Sequence, residues 1–339
     1  MKRLISILAV LFAGFAFLAI AYFWSVKQLT APLSLEDDVL YTVPQGSSAT
    51  SVVRDLLDNG MASFPLLTAK VWLKLDQQAS AVRAGTYQLT PGMSAVDALY
   101  LFASGDEYQF QISLVEGLTL SQWLMLLRAD MNLVQDVTGD DALSGLAAAV
   151  EGYDSQAWPE GLFLADTYHY TAGTSVSDIL RRAGEALSRY LQPQWDSRPG
   201  ALPYQTPYDV LIMASIIEKE TAIASERPLI AGVFVNRLDS GMRLQTDPTV
   251  IYGLGDEFDG NLTRKHLRGK TPYNTYTING LPPTPIAMPG KAAIDAALNP
   301  SLTDALYFVS RGDGTHVFSS TLEAHNEAVN QYQRNIKKE

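Results

Sequence analysis

The 339-residue chain contains no cysteine and only four histidines. Without cysteine it can form no disulfide, no thiolate zinc or iron–sulfur site and no lipid-modified cysteine anchor. The histidines form no H-E-x-x-H motif, and no two of them stand at metal-ligand spacing, which argues against a zinc hydrolase. The G-x-S-x-G and Ser-x-x-Lys signatures of serine hydrolases and penicillin-binding proteins are missing too. We therefore expect no metal and no cofactor, and the chemistry left to this chain is that of carboxylates.

Positive charge is scarce as well. The chain has 25 lysines and arginines against 36 aspartates and glutamates, which gives a formal net charge of −11. Nucleic-acid binding needs clustered basic residues, so no nucleic-acid partner is expected. Apolar residues make up 47% of the chain and charged residues 18%, so the chain can bury a core and is not a disordered acidic protein. Its length predicts roughly two domains.

One long run of the sequence lacks charge altogether. Leu4–Trp24 holds 21 residues with a single polar break, and about 20 apolar residues cross the roughly 30 Å hydrocarbon core of a bilayer. Lys2 and Arg3 precede the run, whereas three acids follow it at 36–38. The positive-inside rule then places the N-terminus in the cytoplasm. We expect a single-pass protein of the cell inner membrane whose chain beyond residue 27 lies in the periplasm.

A cleaved signal peptide is the alternative interpretation of the same run. Ala19-Ile20-Ala21 has the small residues of a cleavage site. The run is longer than the apolar core of a signal peptide, which is usually about 7–15 residues. It also closes with Tyr22-Phe23-Trp24, an aromatic group typical of a membrane interface. We therefore favour an uncleaved anchor over residues 4–24.

A strand–turn–helix pattern recurs beyond the anchor. After a short polar linker at 27–39, a strand-like run is followed several times by Gly, one residue, Ser or Thr, and an amphipathic stretch. Glycine permits the turn, the hydroxyl side chain caps the helix, and apolar residues three and four apart form its buried face. The unequal spacing indicates repeated use of ordinary turn chemistry and not a solenoid. The predicted capping residues are Ser48, Ser94, Thr119 and Ser175.

Residues 40–90 contain the most specific of these units. The predicted elements are a strand at Leu40–Val43, helices at 50–59 and 65–75, and a strand at 85–89. This order, opened by Tyr41-x-Val43-x-x-Gly46, resembles the LysM module, which binds glycans containing N-acetylglucosamine. Glycan binding and a purely structural role are both open for this unit. We expect an α+β protein with a LysM-like β-α-α-β N-terminal subdomain over 40–148 and a mixed α/β domain over 149–339.

A helix predicted over Thr206–Lys219 ends in two carboxylates. Thr206 can cap it, and Leu211–Ile217 is almost entirely apolar. Glu218 and Glu220 then stand at the end where the helix dipole disfavours negative charge. A carboxyl held there beside apolar side chains tends to stay protonated, as a general acid must. The alternative interpretation is that the two glutamates form a solvated last turn without a chemical role. Later elements are predicted as helices over 226–239 and 322–336, and strands over 305–310 and 316–319.

The segment Ala214-Ser215-Ile216-Ile217-Glu218-Lys219-Glu220-Thr221 resembles the signature of the endolytic murein transglycosylase family, which is MltG/YceG-like. Other matches follow in the order of that family and cover nearly the whole chain, including the anchor and the LysM-like unit. They are Pro159-Glu160-Gly161-Leu162-Phe163, Phe234-x-Asn236-Arg237-Leu238, Met242-x-Leu244-Gln245-x-Asp247-Pro248-Thr249, Tyr273-Asn274-Thr275-Tyr276, Gly280-Leu281-Pro282-Pro283, Gly314-Thr315-His316 and His325-Asn326.

The resemblance implies a lytic transglycosylase that cleaves the MurNAc–GlcNAc β-1,4 bond within peptidoglycan strands. The MurNAc C6 hydroxyl attacks in place of water and leaves a 1,6-anhydro end. Ordinary glycoside hydrolysis uses two facing carboxylates, but Glu218 and Glu220 lie about 200° apart around a helix. One carboxyl suffices when the substrate supplies the nucleophile, and the family motif places this general acid and base at Glu218. A partnership with penicillin-binding synthases is implied in the same way.

The resemblance also implies residues that bind the glycan, in one cleft with Glu218. Glu220 is expected to set the charge of this cleft or to form an ion pair. Groups for sugar hydroxyls and ring faces are expected at Gln245, Asp247, Tyr273, Asn274 and Tyr276. Loop-stabilising hydrogen bonds and packing are the alternative role for each of the five. The alternative function for the whole chain is a non-catalytic periplasmic scaffold that binds glycan through the LysM-like unit.

We predict that the mature protein keeps residues 4–24 as its membrane anchor. A reporter fused at residue 60 should register a periplasmic location, because the charge asymmetry orients the span. N-terminal sequencing of the membrane fraction should find the anchor still attached. A mature N-terminus near Tyr22, or a cytoplasmic reporter, would contradict this prediction.

Overall fold

The computed structural model describes residues 2–139, 141–154, 158–200 and 202–334. The helices are α1 (Lys2–Leu29), α2 (Ala49–Asp58), α3 (Leu66–Leu75), α4 (Gln77–Ser80), α5 (Ala95–Ser104), α6 (Leu120–Ala129), α7 (Asp141–Ser144), α8 (Val176–Asp196), α9 (Pro207–Glu220), α10 (Arg227–Asp239), α11 (Asp247–Leu254), α12 (Arg264–Arg268), α13 (Lys291–Leu298) and α14 (Leu322–Val329). The strands are β1 (Val39–Val43), β2 (Gly85–Leu89), β3 (Phe110–Leu114), β4 (Asp166–Tyr170), β5 (Tyr307–Ser310) and β6 (His316–Ser319). The predicted α+β class is confirmed.

The chain folds as two compact units. Unit 1 comprises Met1–Phe110 with His169–Ala172, and unit 2 comprises Gln111–Tyr168 with Gly173–Glu339. The division falls earlier than the one predicted between residues 148 and 149, so α6 belongs with the C-terminal unit. The physical reason lies inside unit 2, where the turn before α6 is hydrogen-bonded to Met288.

Unit 1 has the predicted order of strand, helix, helix and strand, with the one-turn α4 added before β2. Strands β1 and β2 pair antiparallel, and Tyr41 lies opposite Tyr87. Both rings pack against Phe102 of α5, at 5.4 and 5.0 Å between ring centroids. Side chains along each strand alternate between the two faces of the sheet, so one face packs against the helices. This packing gives a core to a sheet of only two strands.

Helix α1 runs without a break into the core of unit 1. Its stretch Leu11–Leu29 is long and apolar enough to cross a membrane, and none of its described side chains before Leu29 is buried. Leu29 and Leu33 are buried, and the Leu33 amide donates a hydrogen bond to the Met93 carbonyl at 2.7 Å. Part of the segment 27–39, predicted as a linker, thus packs on unit 1.

The predicted capping pattern is confirmed at all four positions. Ser48, Ser94, Thr119 and Ser175 each precede a helix and accept a hydrogen bond from an amide in its first turn. The glycine two residues before each cap has a positive φ, between 77° and 95°. A side chain would be strained in that conformation, so the glycine and the hydroxyl residue together define where each helix starts.

Unit 2 is built around α9, with α8, α10, α11 and α13 packed against it. Strands β5 and β6 pair antiparallel, with Phe308 opposite Phe318, close to their predicted positions. Helix α10 begins at Arg227, one residue after its predicted start, and Glu226 precedes it without a side-chain capping bond. The region between residues 245 and 300, where no element is predicted, contains α11, α12 and α13.

The last helix is shorter than predicted. Helix α14 ends at Val329 and continues as a π-helical turn over Asn330–Arg334. The remainder of the predicted helix, 335–336, lies outside the described residues.

We predict that Gly184→Ala destabilises unit 2 by about 1–3 kcal/mol. Alanine normally stabilises a helix interior relative to glycine. At Gly184 in α8, however, a methyl group would lie 2.5 Å from the Leu146 carbonyl oxygen and 3.0 Å from the Ala148 nitrogen. Urea unfolding of the detergent-solubilised chain should show a lower midpoint, whereas the control Gly145→Ala, where a methyl group meets open space, should leave it in place. Equal midpoints for the two variants would contradict the close approach.

Candidate active site

Helix α9 carries the two carboxylates that the sequence singles out. Thr206 caps the helix by accepting a hydrogen bond from the Asp209 amide, and the Asp209 carboxylate accepts one from the Thr206 amide in return. From Tyr208 to Ile217 every residue except Asp209 is buried. A helix buried on all sides must lie inside the core. Its last turn, with Glu218 and Glu220, is where it leaves the core.

Glu218 is nearly enclosed. Its side chain is 5% exposed, Oε2 accepts a hydrogen bond from the Gly290 amide at 3.0 Å, and Oε1 lies 3.4 Å from Nη2 of Arg227. A methyl group on Gly290 would come within 3.2 Å of Oε2, so the backbone must approach closely here. The Arg227 Nε is buried and has no hydrogen-bond partner in the part of the chain that the structure describes. The carboxyl therefore meets two hydrogen-bond donors, which the sequence does not indicate.

The turn between β3 and α6 forms a wall beside Glu218. The Gly117 amide donates to the Met288 carbonyl, and the Met288 amide donates to the Leu118 carbonyl, both at 2.8 Å. The Lys219 ammonium group adds a hydrogen bond to the Gly117 carbonyl at 3.0 Å. These bonds hold the turn against the end of α9.

These walls enclose a cavity of about 410 Å³, called the Glu218 cavity. It is lined by Ser113, Leu114, Val115, Glu116, Ala165, Asp166, Thr167, Glu218, Arg227, Gly290, Lys291 and Ala292. Lys291 and Asp166 form an ion pair at 2.8 Å, with both side chains about half exposed. Glu218 therefore lies, nearly buried, at the edge of an open cavity whose lining is both polar and apolar. A carboxyl in such a position can exchange a proton with a bound ligand.

Glu220 faces a different cavity. Its carboxylate accepts a hydrogen bond from the Thr246 hydroxyl. Burial raises the pKa of Glu220 to about 6, and the nearby Asp247 adds to this, whereas the Thr246 bond and the charges of His316 and Arg237 oppose it. The cavity, of about 510 Å³, is called the Glu220 cavity. Its walls are Glu220, Arg237, Leu244, Gln245, Thr246, Asp247, Tyr276, Tyr307, Phe308, Val309, Ser310, His316, Leu322, His325, Asn326, Val329 and Gln333.

Three of the predicted glycan-binding residues line the Glu220 cavity and not the Glu218 cavity. Gln245 has a positive φ of 51°, unusual for a residue with a side chain, and its amide donates to the Thr275 carbonyl at 3.2 Å. Asp247 accepts a hydrogen bond from the Tyr276 hydroxyl at 2.6 Å. Burial and then this bond raise the pKa of Tyr276 above its ordinary value, so the hydroxyl remains a donor. The structure thus separates Glu218 from Gln245, Asp247 and Tyr276.

The other two predicted residues, Tyr273 and Asn274, line neither cavity. Asn274 is fully buried, and its Nδ2 donates to the carbonyls of His266, Leu267 and Gly269 at 3.2, 3.1 and 2.6 Å. The Tyr273 ring packs edge-on against Tyr252 at 5.0 Å. In the free protein these side chains stabilise the loop that carries Tyr276.

Comparison with known proteins identifies the family. The model of the YceG-like family matches residues 41–331, which is most of the chain. The chain belongs to the YceG-like family. An endolytic murein transglycosylase of Bacillus subtilis is 30% identical over 332 residues, which covers 90% of this chain and 88% of that protein.

Two further comparisons extend the likeness of this YceG-like chain. An endolytic murein transglycosylase of Streptococcus pneumoniae is 26% identical over 317 residues, which covers 85% of this chain but only 57% of that longer protein. The crystal structure of a yceG-like protein from Listeria monocytogenes superimposes with a TM-score of 0.56 at 28% identity. That match covers 86% of this chain and 99% of the Listeria chain.

The residues that contact the two carboxylates of this YceG-like chain could not be predicted from its sequence. Arg227 and Gly290 have no local signal, because their roles arise from contacts made only in the folded chain. Glu226 looks like an ordinary helix-start acid, yet its carboxylate accepts hydrogen bonds from the amide of His316 at 3.0 Å and pairs with the ring Nδ1 of that residue at 2.7 Å. This pair fixes the start of α10, and therefore the position of Arg227 next along the chain.

Glu160 belongs to a segment that resembles the family, but the sequence alone predicts no role for it. It is 1% exposed, and its carboxylate accepts hydrogen bonds from the Leu120 amide at 2.8 Å and the Tyr252 hydroxyl at 3.1 Å. It thereby ties the start of α6 to α11. Burial raises the pKa of Glu160 to about 7, although both hydrogen bonds oppose the rise. The sequence feature that could have indicated a buried carboxyl is a single acid among apolar residues, in Pro159-Glu160-Gly161-Leu162.

We predict that Glu160→Gln removes a pH dependence of stability from unit 2. The folded protein keeps a proton on Glu160 up to about pH 7, whereas the unfolded chain releases it near pH 4.5. The free energy of unfolding should therefore fall between these pH values, by about 1–3 kcal/mol from this residue. Urea unfolding gives the free energy of unfolding at pH 5 and at pH 8. The difference between these two values should be smaller for Glu160→Gln than for the wild type and for the exposed control Glu151→Gln. The same difference in all three proteins would contradict the assignment.

Proposed function

We propose that this chain is a membrane-anchored endolytic lytic transglycosylase. It cleaves the MurNAc–GlcNAc β-1,4 bond within peptidoglycan strands and leaves 1,6-anhydro-MurNAc ends. Its similarity to endolytic murein transglycosylases of Bacillus subtilis and Streptococcus pneumoniae supports the activity. One observation carries the assignment of the site: Glu218, the first acid of the family signature, is a nearly buried carboxyl that lines an open cavity.

Glu218 acts as general acid and then as general base. Its carboxyl donates a proton to the glycosidic oxygen while the bond between that oxygen and C1 of MurNAc breaks, and GlcNAc leaves with a 4-hydroxyl group. The carboxylate then removes the proton of the C6 hydroxyl as O6 bonds to C1. The proton on Glu218 is restored and no water is consumed. Arg227 and the Gly290 amide stabilise the carboxylate between the two transfers.

The Glu220 cavity binds a more distant part of the same glycan. Gln245, Asp247 and Tyr276 offer amide, carboxylate and phenol groups for sugar hydroxyls, and aromatic rings for sugar faces. Glu220 sets the charge of this cavity. Tyr273 and Asn274 contribute by holding the loop that presents Tyr276.

The remaining parts of the chain place the enzyme at the wall. Helix α1 anchors it in the cell inner membrane with the N-terminus in the cytoplasm, and both units lie in the periplasm. Unit 1 is LysM-like, and a cavity of about 340 Å³ at its Tyr41–Pro44 opening supports glycan binding there. Penicillin-binding synthases of wall growth are the proposed protein partners.

One observation supports an alternative function, and another supports an alternative general acid. The unit 1 cavity favours the non-catalytic glycan-binding scaffold as the second candidate function. The pKa of about 6 for Glu220 makes that residue the second candidate for the general acid, because a raised pKa keeps the proton available near neutral pH.

We predict that Glu218→Gln lowers the rate at least about 10²–10⁴-fold, because it keeps the side-chain shape but removes the proton carrier. Glu220→Gln, the matched change two residues away, should retain more activity. The measurement is release of anhydro-muropeptides from purified sacculi by the detergent-solubilised full chain, followed by mass spectrometry. Co-sedimentation with sacculi should show that Glu218→Gln still binds.

Three outcomes would contradict the proposal in different ways. Near wild-type activity of Glu218→Gln would remove Glu218 from the mechanism. Greater loss in Glu220→Gln would transfer the role to the Glu220 cavity. A wild-type chain that binds sacculi and releases no anhydro product would favour the scaffold.

A further inference from the structure

Helix α3 of unit 1 exposes large apolar side chains along one face. Leu67, Val71 and Leu75 are 71%, 48% and 67% exposed. Residues four apart lie on the same side of a helix, so the three form a stripe. The opposite side of α3 is already used, since Ala69 and Leu73 are buried in the core of unit 1. The stripe is therefore not part of the packing that stabilises the unit.

The charges of α3 suit an anionic surface. Lys70 and Lys74 lie on its exposed side, next to the stripe, and the helix contains no acidic residue. Exposed apolar side chains flanked by lysines are typical of helices that lie in the interface of a bilayer. Each such lysine is attracted to the negative headgroups of anionic lipids.

The stripe adjoins the helix that can cross a membrane. Leu67 and Val71 share an apolar groove of about 390 Å³ with residues of α1. The α1 side of the groove runs from Leu18 to Leu29, the buried residue that fixes α1 to unit 1.

The α1 residues that line the groove indicate how far the stripe lies below the membrane interface. Leu18 lies six residues before Trp24, the aromatic residue at the end of the uncharged run. Six residues of helix rise about 9 Å. Interfacial helices bury their apolar face about 5–10 Å below the headgroups. A bilayer that holds Trp24 at its interface would therefore reach Leu67 and Val71 too.

We propose that α3 lies in the surface of the same bilayer that α1 crosses, with lipid acyl chains as the occupant of the groove. Leu67, Val71 and Leu75 contact the acyl chains, and Lys70 and Lys74 contact anionic headgroups. The proposal rests on the proposed anchoring by α1, and it adds a second membrane contact made by the folded part of unit 1.

The absence of cysteine makes a direct test possible. Single variants Leu67→Cys and Val71→Cys of the full chain are labelled with an environment-sensitive fluorophore and reconstituted into vesicles of phosphatidylethanolamine and phosphatidylglycerol. Part of the lipid carries bromine on its acyl chains, which quenches a fluorophore that touches it. The matched controls are Asp58→Cys, exposed on α2, and Phe17→Cys, within α1.

Labels at 67 and 71 should emit at shorter wavelength than the label at 58. They should be quenched more strongly than the label at 58 and more weakly than the label at 17, as expected for the interface. Quenching at 17 with none at 67 or 71 would overturn the proposal and leave the anchor intact. No quenching at 17 would instead remove the anchor on which the proposal depends. Labels at 67 and 71 that are shielded from water but not quenched would mean that a protein covers the stripe, which also overturns it.

A second measurement tests the lysines without placing a label in the stripe. In unlabelled protein that carries Trp24→Phe, which removes the tryptophan of the anchor, bromolipid quenching reports on Trp72, which lines the groove. The quenching is compared in vesicles with and without phosphatidylglycerol. The paired change Lys70→Gln and Lys74→Gln should weaken the dependence on the anionic lipid, because it removes the attraction of both lysines to the negative headgroups. An unchanged dependence on phosphatidylglycerol would exclude the headgroup contacts.

Discussion

A single buried hydroxyl connects the core of unit 2 to its site. Ser215 is the one polar residue in the enclosed part of α9 after Asp209, and its hydroxyl donates to the Ile212 carbonyl while accepting the Ile286 amide at 3.0 Å. That second bond fixes the segment leading to Gly290, whose amide then meets Glu218 one helical turn further on. Because the helix is buried on every side, neither partner can shift without disturbing the core.

The end of α9 gives two acids opposite environments. Glu218 meets an arginine and an amide at the edge of one cavity, whereas Glu220 is desolvated in another with a threonine hydroxyl as its close donor. Two residues along a helix turn the side chain by about 200°, so one helix end can serve two cavities. In the proposed mechanism one carboxyl serves as the proton carrier and the other lines a separate cavity, so the facing pair of an ordinary glycosidase is not needed.

Features set by neighbouring residues could be predicted from the sequence. The four capped turns, the strand pairing of residues 40–90 and the course of α9 follow from glycine, hydroxyl and apolar spacing within a few residues. Arg227, Gly290 and α13 could not be predicted in their roles, because each depends on segments far apart in the chain. The cavity that each side chain lines could not be predicted either: the sequence places Gln245 after Glu218 in order, but only packing decides that they line different cavities.

The paired backbone bonds between Gly117 and Met288 have a consequence for how the protein is made. Their positions are about half the chain apart, and closing so long a loop is entropically costly until other contacts have drawn the ends together. During synthesis the N-terminal segments emerge first, so the turn at Gly117 must wait for the last sixth of the chain before it gains its partner. Unit 1 can therefore fold while the wall beside Glu218 does not yet exist, so the Glu218 cavity is completed only near the end of synthesis.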